Sequence, residues 1–273
     1  MAEALRVEAL SHAFHQGTPG EIRALDGVDL ALERGTFAAV VGVNGSGKSS
    51  LLNAIAGSLP GTHGRIHLDG RDVTGWPEHL RARLIGRVFQ SPFTGTAPDL
   101  TVAENLALAG GRGGPRWLRR TLGRDRRRQA RELLARLEMG LEDRLDTPIG
   151  QLSGGQRQAI TVLMATIVRP SLLLLDEHTA ALDPRSGDQV VGLTRATVAE
   201  GGLTTLMVTH SLSQAVHLGD RVIIMHRGRV VHDLTDIRRR RVTESDLLRL
   251  FDQLRWADRL DTSAAEMLRR AYI

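Results

Sequence analysis

Eight consecutive residues, Gly42-Val43-Asn44-Gly45-Ser46-Gly47-Lys48-Ser49, set a lysine and a hydroxyl directly behind three spaced glycines. This is the G-x-x-x-x-G-K-[ST] pattern of a loop that wraps phosphates. The glycines let the backbone curl so that its N–H groups point inward. A helix beginning at the loop adds the positive end of its dipole. Lys48 then reaches the β- and γ-phosphates of a triphosphate, and the Ser49 hydroxyl completes a Mg²⁺ shell. Asn44, Gly45, Ser46, Gly47 and Ser50 are the further candidate nucleotide contacts around it. Lys48 is the only lysine in the chain; every other strongly basic residue is arginine. A compact ammonium enters a tight phosphate cradle that a planar guanidinium does not fit. Taken alone, the loop also reads as a Gly-rich turn of an ordinary α/β protein.

Leu172-Leu173-Leu174-Leu175-Asp176 is an apolar run ending in an acid. As a buried strand it places Asp176 at its C-terminal end, near the phosphate loop of the neighbouring strand, where it holds Mg²⁺ through water. Glu177 follows directly and is suited to polarise an attacking water. By themselves these two acids also read as a strand end reaching solvent. Leu152-Ser153-Gly154-Gly155-Gln156 precedes a helical stretch and offers a second phosphate nest. One nucleotide does not need two nests in one chain, so the economical arrangement is two copies, each lending this loop to the other's site.

The elements that must position these groups follow from periodicity. Leu5 to Ala13 and Ala24 to Leu32 alternate as half-exposed antiparallel strands, and Thr36 to Val41 is a buried strand entering the loop. Short strands are expected at Ile66 to Leu68 and Arg87 to Gln90, with a helix from Pro77 to Leu84 between them. Thr101 and Glu104 are spaced as a capping box opening a helix to Leu108. An amphipathic helix runs through Leu137, and a long one from the 152–156 loop to near Arg169. Pro184 to Val198 and Leu212 to Leu218 read as helices, Thr204 to Thr209 as a strand, and 221–232 as a hairpin about Arg227-Gly228. The tail from Thr243 is predominantly helical, with Leu247, Leu248, Leu250, Phe251 and Leu254 on one face. The α/β pieces 1–95 and 170–235 are expected to share one sheet, with an all-helical insertion between them.

Composition bounds the class. The 273 residues, 41% hydrophobic and 25% charged, suffice for one large domain with an insertion. There is no cysteine, hence no disulfide framework and no thiol chemistry. No apolar run approaches a membrane span, and the first residues lack the pattern of a signal peptide, so a soluble cytoplasmic protein is expected. Net charge is +5, but aromatic residues make up 3%, which argues against base stacking and a nucleic-acid partner. Arg112 to Arg131 holds nine arginines against one acid, Asp125. It reads either as a solvated helix face or as a surface approaching an anionic leaflet.

The 42–49 loop, Gln90, the 152–156 pentapeptide, Asp176-Glu177, Ala181-Leu182-Asp183 and His210 occur in one order. Together they resemble the nucleotide-binding subunit of ATP-binding cassette (ABC) transporters, over residues 1 to about 235. The resemblance implies several roles. Phe14 matches the aromatic that stacks on adenine, although it also reads as a core aromatic. Gln90 matches the glutamine that senses Mg²⁺ and water and connects to the membrane partner. Leu152, Ser153, Gly154, Gly155 and Gln156 match the signature loop that contacts the γ-phosphate of the opposite copy's ATP. Asp183 would couple the two sites, and His210 would touch the γ-phosphate and support Glu177. Two departures stand out: His178 occupies the usual proline position and Ala180 a common serine position. Neither removes a catalytic group, so hydrolysis is expected to survive, and His178 is of a type that titrates near neutrality.

The resemblance implies an α/β fold: a P-loop NTPase core of ABC type with an antiparallel β subdomain, an inserted α-helical subdomain at about 95–169 and short C-terminal helices. Residues 1–235 would be the ATPase domain and 236–273 an extension. Lys48, Gln90, Glu177 and His210 are the catalytic candidates, and Ser49, Gln90 and Asp176 the metal candidates. ATP and Mg²⁺ are the implied cofactors. The implied partners are a second copy joined head to tail, an integral membrane permease and a solute-binding protein, with the chain on the cytoplasmic face of the cell membrane. The stretches 90–98 and 176–184 are similar to the ATPase of tryptophan/tyrosine importers with a branched-chain-type permease. An exporter ATPase and a soluble cassette of translation or DNA maintenance are the alternatives. Single-cassette length and the lack of sustained heptads weigh against the soluble class.

Overall fold

The computed structural model describes residues 3–112, 123–237 and 241–254. Two sheets organise it. The first is antiparallel, in the order β2-β1-β4-β5, from β1 (Glu3–Phe14), β2 (Ile22–Glu33), β4 (His63–Leu68) and β5 (Arg71–Asp72). The second has the order β10-β9-β3-β8-β7-β6. It contains β3 (Phe37–Val41), β6 (Ile85–Val88), β7 (Leu172–Asp176), β8 (Thr205–Val208), β9 (Arg221–His226) and β10 (Arg229–Leu234). The two α/β pieces do share this second sheet. The N-terminal piece also builds the first, because its half-exposed strands suit a sheet with only one covered face.

The strand sequences explain the layering. β3, β6, β7, β8 and β9 are parallel neighbours, and four of the five residues of β7 are fully buried leucines. Alternate residues feed different cores. Ala38, Val40, Leu172 and Leu174 pack with the first sheet and with helix α1 (Lys48–Ala56). Phe37, Ala39, Val41, Leu173 and Leu175 pack on the other face with Val162, Val190, Ala215, Ile237 and Leu247. These come from α5 (Gly154–Thr166), α6 (Pro184–Gly201), α7 (Leu212–Leu218) and the tail. A third cluster, including Val102, Leu106, Leu134, Leu145 and Ile160, forms the core of the helical insertion. That insertion carries α3 (Val102–Gly110) and α4 (Arg124–Ala135). α5 belongs to both the second and third clusters and so ties the insertion to the sheet.

Several expected boundaries move. The helix after Pro77 is a single turn, α2 (Glu78–Arg81), with Pro77 as its N-cap. Its last residue is Arg81, whose buried guanidinium turns back to donate to the carbonyls of Ala54, Ile55, Thr74 and Trp76 at 2.8–3.0 Å. Strand β6 stops at Val88, leaving Phe89 and Gln90 in the following loop. The Thr101/Glu104 capping box is present. α5 ends at Thr166, three residues before Arg169. The tail is helical over 244–254, where Leu247 is buried and Leu250, Phe251 and Leu254 pack on the second cluster. Leu248 faces away and is exposed, one position out of the 3–4 spacing of that face. Residues 113–122 of the arginine-rich segment and 255–273 of the tail lie outside the described residues.

Arg81 supplies a charged donor to the carbonyls of Ala54 and Ile55 near the end of α1, the helix that Lys48 begins. Arg81→Met leaves four carbonyls without their charged donor and is expected to cost about 3 kcal/mol, read as a lower urea midpoint at unchanged slope. Arg81→Lys should recover only part of the loss, because an ammonium cannot span four carbonyls in one plane.

Candidate functional site

A cleft of about 560 Å³ opens at the C-terminal ends of the parallel strands. Its walls are Phe14, Ile22 and Ala24 from the first sheet, Asn44 to Ser50 from the loop and first turn of α1, and Gln90, Glu177 and His210. Eleven of the residues singled out in the sequence therefore meet in one place. Phe14 is exposed at the mouth, so the core reading of it is set aside. Its ring meets that of the buried His12 edge to face at 4.7 Å between centroids.

The loop is shaped for anions. A Cβ on Gly42 would lie 2.4 Å from the Met225 carbonyl, and one on Gly47 2.3 Å from the Ala24 carbonyl. Gly47 also has φ +101°, open only to glycine at low cost. It N-caps α1 without any side-chain hydrogen bond, so the first N–H groups of that helix have no side-chain cap to compete with an incoming phosphate. The buried Ser46 hydroxyl likewise has no partner. Lys48 is buried and its Nζ donates to the carbonyls of Gly42 at 2.9 Å and Val43 at 3.0 Å. Burial pushes its pKa down, opposed by the charges of Glu177 and Asp176. Among the described residues no carboxylate is in salt-bridge contact with this lysine, and a triphosphate would supply an anionic partner.

Glu177 and His210 come from adjacent strands. Asp176 pairs with Val208 in parallel register, so the residues one and two positions beyond sit side by side. His210 Nε2 lies 2.6 Å from Glu177 Oε1. Glu177 reaches that position with φ +44°, an uncommon conformation for a non-glycine residue. Its N–H bonds the Val208 carbonyl at 2.9 Å, which helps to hold the turn. A second tie runs through Gln214: its amide donates to the Thr179 hydroxyl at 3.1 Å and accepts from the Thr209 hydroxyl at 3.0 Å. This Thr179–Gln214–Thr209 chain locks the two turns together. The sequence reading missed it because a lone glutamine on a helix carries no signal of its own.

Asp176 stands behind the cleft, with 15% of its side chain exposed. Strand β8 separates β7 from β3, so the expected placement of Asp176 beside the loop strand is corrected: β7 is its second neighbour. Burial raises the Asp176 pKa, and Arg87, 3.6 Å away, together with Lys48 pulls it back. The candidate metal donors, Ser49, Gln90 and Asp176, are all oxygen ligands suited to a hard cation. Among the described residues no group of three or more His, Cys, Asp or Glu is placed to hold an ion alone. This fits Mg²⁺, which is commonly held by one or two carboxylates together with substrate phosphates.

The 152–156 loop is elsewhere. Ser153 N-caps α5 in a capping box with Gln156, and neither lines the cleft. Gly154 is exposed, whereas Gly155 is buried, where a Cβ would lie 2.7 Å from that of Ser186. The second glycine is thus required by close packing of α5 on α6 as well as by any nest. Asp183 N-caps α6 by accepting from the Ser186 N–H at 3.1 Å, and also lies outside the cleft.

Comparison with known proteins places the chain in context. The ABC transporter family pattern matches residues 25–180. A tyrosine transport ATP-binding protein of Clostridioides difficile is 40% identical over 250 residues, 91% of this chain and 98% of that one. The lipoprotein-releasing system ATP-binding protein LolD 1 of Caulobacter vibrioides is 39% identical over 86% of this chain and 98% of its own. Among solved structures, the dimeric post-hydrolysis state of the ATP-binding cassette MJ0796 bound to ADP and Pi matches with TM-score 0.71 and 30% identity. That match covers 85% of this chain and 98% of the other.

His178 corrects its sequence reading. It is fully buried, with Nε2 3.2 Å from the Thr194 hydroxyl, which itself donates to the Val190 carbonyl of α6. Burial pushes its pKa down to about 4, so the ring is neutral near pH 7 and does not titrate there. The unfolded ring takes up a proton near its ordinary value of about 6.5 while the folded one resists. Unfolding therefore binds more protons, and this ring's contribution falls as pH drops from about 6.5 to about 4. We expect about 2 kcal/mol of this loss between about pH 7 and 5, measured by urea unfolding. His178→Asn should flatten that slope; an unchanged slope would contradict the buried neutral ring.

Proposed function

This chain belongs to the ABC transporter family, and we propose that its ATP hydrolysis powers uptake of an amino acid or related small solute through a separate permease. As a member it is an ATPase that binds ATP with Mg²⁺, dimerises and works with a membrane permease. Among the described residues no helix is long and apolar enough to cross a membrane. A peripheral position on the cytoplasmic face, beside that permease, accords with this. Residues 1–235 would form the ATPase domain, interrupted at about 95–169, with 236–273 an extension docked through Ile237 and Leu247.

The residue roles are proposed from the geometry. Phe14 stacks on adenine, and the N–H groups of 42–49 with Lys48 hold the phosphates. Ser49, Gln90 and Asp176 hold Mg²⁺, which when bound neutralises charge on the β- and γ-phosphates. Glu177 orients water in line with the γ-phosphate, and His210 fixes the Glu177 carboxylate and faces the developing charge. The observation that carries the dimer is the separation of the 152–156 loop from the cleft of its own chain. A second copy arranged head to tail would bring Ser153 and Gly154 to the γ-phosphate, with Asp183 coupling the two sites.

A groove of about 450 Å³ between the sheet and the helical insertion is the proposed permease contact. Ala56, Ile85, Phe89, Leu108 and Met164 give it apolar walls. The solute reading is supported by the 40% identical tyrosine transport relative, and a solute-binding protein is the partner such uptake calls for. The lipoprotein-releasing relatives, at 39% and 38% identity, favour a second reading in which the same ATPase serves a releasing system. Co-purification from native membranes separates the two: a soluble or anchored solute-binding protein supports uptake, and its absence beside a recovered permease supports release.

Glu177→Gln keeps the hydrogen-bonding shape but cannot act on water. It should accumulate as an ATP-bound dimer on gel filtration, while turnover falls by about two to four orders of magnitude. A variant that remains monomeric with ATP would contradict the head-to-tail scheme.

A further inference from the structure

Arg87 has no role in the proposed mechanism, yet its guanidinium reaches both the loop helix and Asp176. It sits on β6 opposite Leu174 of β7, and only 12% of its side chain is exposed. Nη2 donates to Asn53 Oδ1 on α1 at 2.5 Å and Nη1 to the Ser58 hydroxyl at 3.2 Å. The guanidinium carbon stands 4.5 Å over the Phe89 ring. Toward Asp176 Oδ2 the same Nη2 is 3.6 Å away, too long for a hydrogen bond. Arg87 is thus anchored firmly to the helix that Lys48 begins and only loosely to the carboxylate.

A cation so placed competes with a metal. A buried carboxylate without a counter-ion is costly, and Arg87 supplies one when no metal is bound. Once a divalent ion takes the carboxylate, the guanidinium keeps Asn53, Ser58 and the Phe89 ring, so it need not leave. Its charge then opposes the ion across a small gap of low dielectric.

We propose that Arg87 is a positioning residue for Asp176: it is the carboxylate's counter-ion in the metal-free state, and Mg²⁺ must bind against its charge. It thereby sets how strongly Mg²⁺ and ATP favour each other's binding. The inference rests on the reading of Asp176 as a metal-holding group.

The test is the ratio of the dissociation constants of mant-ATP in EDTA and in saturating Mg²⁺, measured on the full chain in a Glu177→Gln background. A general loss of nucleotide affinity changes both constants and cancels in the ratio. Arg87→Gln should raise the ratio about fivefold, and Arg87→Lys, which keeps the charge, should stay within about twofold. Asn53→Ala frees the guanidinium to close on Asp176 and should lower the ratio about threefold. This second variant keeps the ion pair intact and carries the test if Arg87→Gln does not fold. A ratio unchanged or lowered in Arg87→Gln, or unchanged in Asn53→Ala, overturns the proposal. Asp176→Asn should collapse the ratio; if it does not, the metal reading of Asp176 fails, and that failure is distinct from a failure of Arg87 alone.

Discussion

Parallel pairing of β3, β8 and β7 is the constraint from which the site follows. Ala38 to Val40 pair with Leu206 to Val208, and Leu173 to Asp176 pair with Thr205 to Val208. Parallel register sends all three strands toward the same edge, so the groups just beyond each strand are delivered to one line. Lys48 follows β3, Asp176 and Glu177 end β7, and His210 follows β8. Only buried apolar strands sustain such a sheet with both faces covered. The leucine run of β7 and the alanine–valine run of β3 meet that demand, each feeding both hydrophobic clusters. Core packing and active-site geometry are here one requirement: a slip of one residue in β7 would turn its leucines over and separate Glu177 from His210.

The same frame leaves the cleft one-sided. The loop, the first turn of α1, Glu177 and His210 line it, while nothing from 152–156 does. α5 begins outside the cleft, capped by Ser153 and pressed at Gly155 against Ser186 of α6. The start of α6 is Asp183, three residues before that contact. The caps Ser153 and Asp183 are thus joined through the close contact of α5 on α6. α5 itself bridges the insertion and the sheet.

Much of this was legible in the sequence. The phosphate loop was, because its chemistry needs eight contiguous residues of fixed type; so was the acid pair at the end of β7. Most strands and helices fell within a few residues of their expected places, since amphipathic periodicity and the Thr101 and Ser153 caps are local signals. Strand order was not legible: nothing in β7 states that β8 lies between it and β3. Nor was the burial of His178, whose residue type promised titration near neutrality until its enclosure beside Thr194 was known. Arg81, Arg87, Asn53 and Gln214 escaped notice for a shared reason. Each is a single polar residue whose partners lie on other elements, so its role exists only after folding.

The central claim is that each nucleotide site is built from two copies of this chain. It is tested most directly by mixing two inert variants, Lys48→Ala, which disables the loop, and Ser153→Arg, which disables the offered surface. In a mixed pair, both lesions fall in one site and the other site is wild type in both parts. Each variant alone should lack ATP turnover, and the mixture should recover a substantial fraction of the native rate. A mixture as inert as its components, formed under conditions where the two chains are shown to associate, would contradict the central claim.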